Sequence, residues 1–187
     1  MTRLTLHGTP MYTEGTPPVL GRAAPRFLLT DANLTDLGLD HFGRRCKVLL
    51  TVPSLELPSC TASARQLEEQ LQGQPGIVLV TISPDLPFAG QRLRGDDTPG
   101  QTVFLSSFRS PQFARAYGLD IVSGPLKGLL APALMVLDAD HRVVHVELVR
   151  ELSRAADHAA ALAAARQAIR RANATSVAST AVASVAR

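Results

Sequence analysis

Short runs of apolar residues alternate with amphipathic stretches along this chain, and that alternation predicts strands interleaved with helices. Residues 46–52 and 76–83 are continuous apolar runs with β-branched side chains, which is typical of strands buried on both faces. Between these runs, apolar residues recur at helical spacing from Thr61 to a stop at Gly73. The pattern therefore predicts a strand, a helix and a second strand at the centre of the fold.

The rest of the chain continues this order. The pattern predicts an N-terminal hairpin in residues 3–20, a helix around 86–93, a strand at 102–106, a helix at 110–117, a hairpin of strands 132–138 and 142–149, and a helix at 154–171. This order is that of an α/β, thioredoxin-like three-layer sandwich with a mixed sheet and an N-terminal β-hairpin. The Ala, Ser, Thr and Val-rich stretch 173–187 lacks a sustained period, so we expect one domain, 1–172, followed by a disordered tail.

Composition narrows the possible functions. The 187 residues carry a formal charge of only +3 with no Trp and few aromatic residues, which argues against nucleic-acid binding. No stretch reaches the roughly 18 apolar residues that span a bilayer, and the start lacks the apolar segment of a signal peptide. We expect a soluble cytoplasmic protein with no membrane partner. Two isolated cysteines and scattered histidines indicate no metal site, and no cofactor is expected.

Cys60 is the one residue whose placement predicts chemistry. It follows the buried strand 46–52 and the turn at Pro53, and it falls at the start of the predicted helix. A helix N-terminus offers unpaired N–H groups and a partial positive charge, and both favour a thiolate. The alternative is that Cys60 is a small buried apolar residue, as free cysteines often are.

Several sequence blocks resemble the thiol peroxidase branch of the peroxiredoxins, which are atypical two-cysteine enzymes that reduce hydroperoxides. The most specific match is SPDLPFAGQRL, residues 83–93, and the others are GRAAPRF (21–27), TVPS (51–54), SSFRSPQFARAYG (106–118) and GPLKGL (124–129). The resemblance covers about residues 4–170. It implies a peroxiredoxin fold, with Cys60 as the peroxidatic cysteine and Pro53 as the proline of the active-site loop.

Three residues of the family's active site are replaced in this chain. Leu57 stands where the family has a Thr or Ser whose hydroxyl hydrogen-bonds the peroxide. Pro132 takes the place of an arginine that donates to the thiolate and to the transition state, and Arg94 stands where the branch has its resolving cysteine. Loss of one preorganised donor can cost on the order of 10²–10³ in rate, so we expect an impaired enzyme.

Three other residues are candidates to replace the lost hydrogen-bond donors. Ser59, Ser54 or Arg94 could act as a replacement donor, although Ser59 is also a candidate helix N-cap. Cys46 begins the strand that leads to Cys60, which puts it at the other end of the sheet and too far away for a disulfide. We interpret Cys46 as a packing residue, and Asp85, Pro87 and Phe88 as packing and turn residues beside the site.

Three functions remain open at this point. Cys60 can act as a one-cysteine peroxidase whose sulfenic acid is reduced by an external thiol such as glutathione or thioredoxin. Alternatively, the scaffold is a catalytically degenerate binding or regulatory protein, or Cys60 is a slow redox sensor. In each case the resemblance implies a homodimer. Because the arginine is missing, the pKa of the Cys60 thiol is predicted to be less depressed than in the family.

Overall fold

The protein is built around one seven-stranded mixed sheet. The computed structural model describes residues 1–94 and 102–185, without the side chains of Arg94 and 175–185. In chain order the strands of both sheets are β1 (Thr2–Leu6), β2 (Thr9–Glu14), β3 (Leu29–Thr30), β4 (Asp36–Leu37), β5 (Cys46–Thr51), β6 (Ile77–Ser83), β7 (Thr102–Ser106), β8 (Asp120–Ile121), β9 (Ala133–Leu137) and β10 (Val143–Leu148). The central sheet has the order β10-β9-β5-β6-β7-β3-β4.

The central strand β5 carries side chains to both faces of this sheet. It pairs with β6 in parallel and with β9 antiparallel, and all six of its residues are buried. Val48 and Leu50 pack into one apolar cluster, while Leu49, between them, packs into the other. This alternation is what a strand buried on both faces requires.

Helices cover the two faces and complete three layers. They are α1 (Pro58–Leu71), α2 (Phe88–Arg94), α3 (Pro111–Ala116) and α4 (His158–Val185). Leu67 of α1 and Leu162 of α4 pack into the cluster on the Val48 side. Phe113 of α3 packs on the opposite side with Phe27 and Tyr117, whose hydroxyl donates to the Pro25 carbonyl at 2.7 Å.

The predicted N-terminal hairpin is present. Strands β1 and β2 pair antiparallel from Thr2↔Thr13 to Leu6↔Thr9, and β8 extends them into a separate three-stranded sheet. His7 and Gly8 form the tight turn with positive φ angles of 48° and 81°. This turn matters for the site because Leu6 and His7 reach the cavity that contains Cys60.

The predicted elements are present, with errors at helix ends. Helix α1 begins at Pro58, earlier than Thr61, because proline suits the first helical position. The predicted end of the last helix at 171 is wrong: the α4 backbone continues to Val185, so the segment expected to be disordered from 173 is largely helical. The alanines at 174, 178, 181 and 183 favour helix, whereas the serine, threonine and valine residues between them do not, so propensity alone does not account for the extension. The division at residue 172 stays a prediction.

Across the described parts of the chain, no helix is both long and apolar enough to cross a membrane.

Replacing Gly90 by Ala tests the close packing of α2 on the sheet. A Cβ at Gly90 would lie 2.5 Å from the Phe104 Cβ, so α2 must move away from β7. We expect Gly90→Ala to lower the free energy of unfolding by about 1–3 kcal/mol in urea titrations. Gly76→Ala is the matched control, because its Cβ would meet only the flexible Ile169 side chain at 3.4 Å. Equal stability of the two variants would contradict this packing.

Candidate active site

Cys60 lies in the first turn of α1, where the sequence predicts it. Strand β5 ends at Thr51, Val52 still donates to the Ile82 carbonyl at 3.0 Å, and the buried Pro53 turns the chain away. The loop then leads to Leu57, whose carbonyl accepts from the Cys60 N–H at 3.0 Å and opens the helix. The Cys60 side chain is half-buried. The strand end and the helix start together fix its position.

The predicted helix cap at Ser59 is wrong. The N-cap residue is Leu57, which offers no side-chain acceptor, and the missing N–H of Pro58 at the first position reduces the need for one. Ser59 is therefore already inside the helix, where its hydroxyl hydrogen-bonds the Cys60 thiol and lowers the pKa of that thiol. This contact is consistent with a supporting role for Ser59, which stays a prediction.

Asp85 fastens the loop that carries Cys60. Its Oδ1 accepts from the Ser54 hydroxyl at 2.9 Å, and its Oδ2 accepts from the Leu55 N–H at 2.6 Å. The Asp85 carbonyl in turn accepts from the Ser106 hydroxyl on β7. The carboxylate thus ties the loop after β5 to the ends of β6 and β7. Our interpretation of Asp85 as a packing and turn residue missed this role. The signal in the sequence was an aspartate just after the predicted buried strand 76–83.

Ser54 is occupied by this loop rather than directed at a substrate. Its hydroxyl donates to Asp85 and accepts from the Glu56 N–H at 3.0 Å, so the suggested role of that hydroxyl as a replacement donor to peroxide is not supported. The main chain of Ser54 does hydrogen-bond the Cys60 thiol. Glu56 forms an ion pair with Arg92 of α2, which closes the outer side of the loop.

The environment of the Cys60 thiol favours the protonated form. Burial is the largest influence and raises its pKa, the hydrogen bonds from Ser54 and Ser59 lower it, and the negative charge of Asp85 raises it again. No cation in the described part of the chain offsets burial at this thiol. The pKa therefore lies above its ordinary value, in the direction predicted from the loss of the arginine.

Cys46 is buried at the opposite end of β5. Its N–H donates to the Gly76 carbonyl, and burial raises the pKa of its thiol to about 12. Both cysteines are free. This environment agrees with Cys46 as a packing residue that takes no part in chemistry.

A cavity of about 520 Å³ opens beside Cys60. Its wall includes Leu57 and Pro132, two of the three positions at which we predicted a replaced family residue, together with the loop residue Pro53. Thr51 also lines the cavity, but its hydroxyl donates to the Ala131 carbonyl at 2.9 Å. The rest of the wall is largely apolar, with Leu6, Leu126, Val149, Leu152 and Ala156, but it also includes the polar residues His7, Ser63, Ser153 and Arg154. The cavity can hold a small organic molecule with its reactive end at the sulfur.

The structure also shows where the remaining residues of interest lie, namely Arg94, Pro87, Phe88 and His158. Arg94 is the last residue of α2, and its side chain lies outside the described residues. Pro87 is buried as expected for packing, whereas Phe88 is half exposed, as are Leu57 and Leu86 beside it. His158, one of the scattered histidines expected to be surface or packing residues, is buried against the cavity-lining Ser63 with 2.8 Å between Nε2 and Oγ.

Comparison with known proteins supports a specific family. Residues 20–164 match the Redoxin family model. The chain is 38% identical over 164 residues to a thiol peroxidase of Leptospira interrogans, covering 86% of this chain and 95% of that protein. It is 37% identical over 161 residues to a thiol peroxidase of Mycobacterium bovis, with 86% and 96% covered.

Solved structures agree with the fold. A peroxiredoxin-like protein from Aquifex aeolicus superposes with a TM-score of 0.82 at 27% identity, covering 90% of this chain and 98% of that one. A thiol peroxidase from Chromobacterium violaceum has the same TM-score at 23% identity, with the same coverage, and supports the fold alone. These matches confirm the thioredoxin-like architecture predicted from the sequence.

Replacing Asp85 by Ala tests its hold on the loop. The variant loses two hydrogen bonds to a charged group and leaves the Leu55 N–H without its acceptor, so the free energy of unfolding should fall by about 2–4 kcal/mol. Asp140→Ala serves as the control, because its carboxylate only pairs with Arg44 on the surface and should cost less than about 1 kcal/mol. Urea titration of both variants measures the difference. Similar losses in the two variants would show that Asp85 does not anchor the loop.

Proposed function

Because the chain belongs to the thiol peroxidase branch of the peroxiredoxins, within the Redoxin family, we propose that it reduces hydroperoxides through Cys60 in a one-cysteine cycle. The observation that carries the proposal is the placement of Cys60, half-buried in the first turn of α1 and open to a cavity of about 520 Å³. The substrate is a hydroperoxide and the reductant is a thiol.

The proposed cycle balances with two reducing thiols. The Cys60 sulfur attacks one peroxide oxygen, the O–O bond breaks, and the leaving alkoxide takes up a proton to give an alcohol or water. Cys60 is now a sulfenic acid, which a first thiol converts into a mixed disulfide with loss of water. A second thiol releases Cys60 and leaves as the oxidised disulfide. Glutathione or thioredoxin supplies these thiols.

The external reductant is supported by the cysteine content. The chain has only two cysteines, and Cys46 is buried at the far end of β5. An internal disulfide with Cys60 would require their Cα atoms to approach within about 7 Å, which the length of the strand between them opposes. Exposed apolar side chains beside the site, Leu57, Leu86 and Phe88, support a homodimer. We place the protein in the cytoplasm, in line with its free thiols.

The second candidate is a function in which peroxide oxidises Cys60 slowly or not at all. Leu57 and Pro132 bring no donor to the cavity, and the pKa of the Cys60 thiol is raised. Both observations favour slow oxidation, which suits either a sensor that signals through the sulfenic acid or a degenerate homologue that binds a partner. A sensor is oxidised by peroxide but turns over poorly with thiols, whereas a degenerate binding protein is not oxidised at all.

Removing the Cys60 thiol tests the proposal directly. We expect the wild-type protein to consume cumene hydroperoxide and hydrogen peroxide with dithiothreitol or thioredoxin, and Cys60→Ser to reduce the rate to the uncatalysed background. Cys46→Ser is the matched control and should retain the wild-type rate. Equal rates for wild type and Cys60→Ser would eliminate the peroxidase.

Restoring the family's donors should raise the rate. Leu57→Thr returns a hydroxyl to the cavity and Pro132→Arg returns a cation, so each should increase kcat/KM for cumene hydroperoxide by roughly tenfold or more. The double variant should exceed both, and adding Cys60→Ser to it should abolish the gain. No increase in the double variant would show that these positions do not limit catalysis here.

A further inference from the structure

Two separate parts of the chain meet to form one side of the cavity beside Cys60. Leu6 and His7 come from the β1–β2 hairpin, whereas Leu152 and Ser153 come from the segment that follows β10. We call these four residues the cavity roof. Leu6 and Leu152 are apolar and half-buried, so they offer a surface that the apolar part of a bound molecule can contact. The contacts between the two parts therefore decide the shape of the cavity.

The main chains of the two parts are joined by a short parallel bridge. The Thr5 N–H donates to the Arg150 carbonyl at 2.7 Å, and the Leu152 N–H donates to the Thr5 carbonyl at 2.9 Å. These bonds fix positions 5 and 152, but they do not include the hairpin turn at His7 or the next roof residue, Ser153. A further contact is needed to hold those two positions.

The carboxylate of Glu151 supplies that contact. Its Oε2 accepts from the Thr5 hydroxyl at 2.6 Å, and its Oε1 accepts from the His7 N–H at 3.0 Å. Oε1 also accepts from the Ser153 hydroxyl at 2.7 Å and from the Ser153 N–H at 3.2 Å. One carboxylate thus joins the hairpin turn to the segment after β10.

The ionisation of Glu151 and the shape of the turn agree with this role. The hydrogen bond from the Thr5 hydroxyl lowers the pKa of the Glu151 carboxyl most, and those from Ser153 and His7 lower it further, to about 2. The group is therefore an ionised acceptor at neutral pH. His7 and Gly8 both have positive φ, as a two-residue hairpin turn of type I′ requires. The pairing of β1 and β2 ends at Leu6, so the His7 N–H lies outside the ladder and uses Glu151 as its acceptor.

We propose, building on the peroxidase function above, that Glu151 is a positioning residue that holds the cavity roof in place for the apolar part of an organic hydroperoxide. Glu151 is not among the described residues that line the cavity, so it acts through Leu6 and Leu152. Hydrogen peroxide has no apolar part, and its reaction with Cys60 does not depend on the roof. Glu151 therefore sets how strongly the site favours an organic hydroperoxide over hydrogen peroxide.

The test compares the two substrates at a single pH in a Cys46→Ser background. Reduced protein is mixed with cumene hydroperoxide or hydrogen peroxide, quenched at intervals with an alkylating reagent, and the remaining Cys60 thiol is counted by intact mass. Glu151→Ala removes all four hydrogen bonds, whereas Glu151→Gln keeps a side-chain oxygen that accepts at the Oε1 position. Glu14→Ala is the matched control, because Glu14 ends β2 on the same hairpin, away from the turn, and pairs with Arg115 on the surface. Thermal melts report the folding of each variant.

The proposal predicts a change in the ratio of the two rate constants. Glu151→Ala should slow oxidation by cumene hydroperoxide roughly fivefold, because the phenyl group loses contacts with the roof. Oxidation by hydrogen peroxide should stay within about twofold of the parent. Glu151→Gln should recover most of the parent's ratio, and Glu14→Ala should match the parent. An equal loss for both peroxides in Glu151→Ala, an unchanged ratio, or a Glu151→Gln variant as poor as Glu151→Ala overturns the proposal.

Protection of Cys60 from iodoacetamide separates this proposal from the peroxidase itself. The probe is cumyl alcohol, the reduced product of cumene hydroperoxide, which fills the cavity without oxidising the thiol. It should protect Cys60 in the parent, and Glu151→Ala should need a roughly fivefold higher concentration for half protection. A parent that resists both peroxides but shows this difference contradicts the proposed function and supports the role of Glu151. A parent that is oxidised by both peroxides, with equal protection in Glu151→Ala or with no protection at all, contradicts the role of Glu151 alone.

Discussion

The site depends on the hydrogen bonds between the Asp85 carboxylate and the loop after β5. Both carboxylate oxygens are used, one by the Ser54 hydroxyl and one by the Leu55 N–H. Because Asp85 follows β6, and β6 is the parallel neighbour of β5, the carboxylate ties together two adjacent strand ends. The loop can then deliver Leu57 to the helix N-cap and Cys60 to the first turn of α1. The Thr61 hydroxyl, which donates to the Leu55 carbonyl at 2.7 Å, and the ion pair between Glu56 and Arg92 add to this hold on the loop.

The same carboxylate makes ionisation of the Cys60 thiol less favourable. Its negative charge raises the pKa of Cys60, and burial raises it further. We propose that Pro132, on the cavity wall, takes the place of the family's arginine, which would oppose both effects. On this interpretation the chain keeps the scaffold that positions the Cys60 sulfur while losing the charge that would activate it.

The sequence predicted the fold well because its signals are local. Continuous apolar runs predicted β5 and β6, and apolar residues at helical spacing predicted α1. The order of strands and helices along the chain predicted the three layers. Helix ends were predicted less well, since Pro58 extends α1 forward and α4 continues to Val185 through a segment that lacks a sustained apolar period. The placement of Cys60 in a first turn followed from the same local signals.

The contacts that complete the site were not predictable from local pattern. Asp85 and Ser54 are 31 residues apart, and Ser63 and His158 are 95 apart, so only the packed fold brings each pair together. A histidine that is isolated in the sequence gives no sign that it will be buried against a serine on another helix. Likewise, serine is a residue type typical of an N-cap, but Leu57 takes that position rather than Ser59 because Pro58 suits the first position of the helix.

The central claim is that this protein retains the peroxidatic position without a cation to activate it, and a direct titration of the Cys60 thiol tests that claim. The ultraviolet absorbance of the thiolate is followed against pH in Cys46→Ser, with the doubly substituted Cys46→Ser, Cys60→Ser protein as the blank. The account predicts a midpoint above the ordinary value of about 8.5 for a free cysteine. A midpoint below that value would contradict it, because influences that lower the pKa would then outweigh burial and the charge of Asp85.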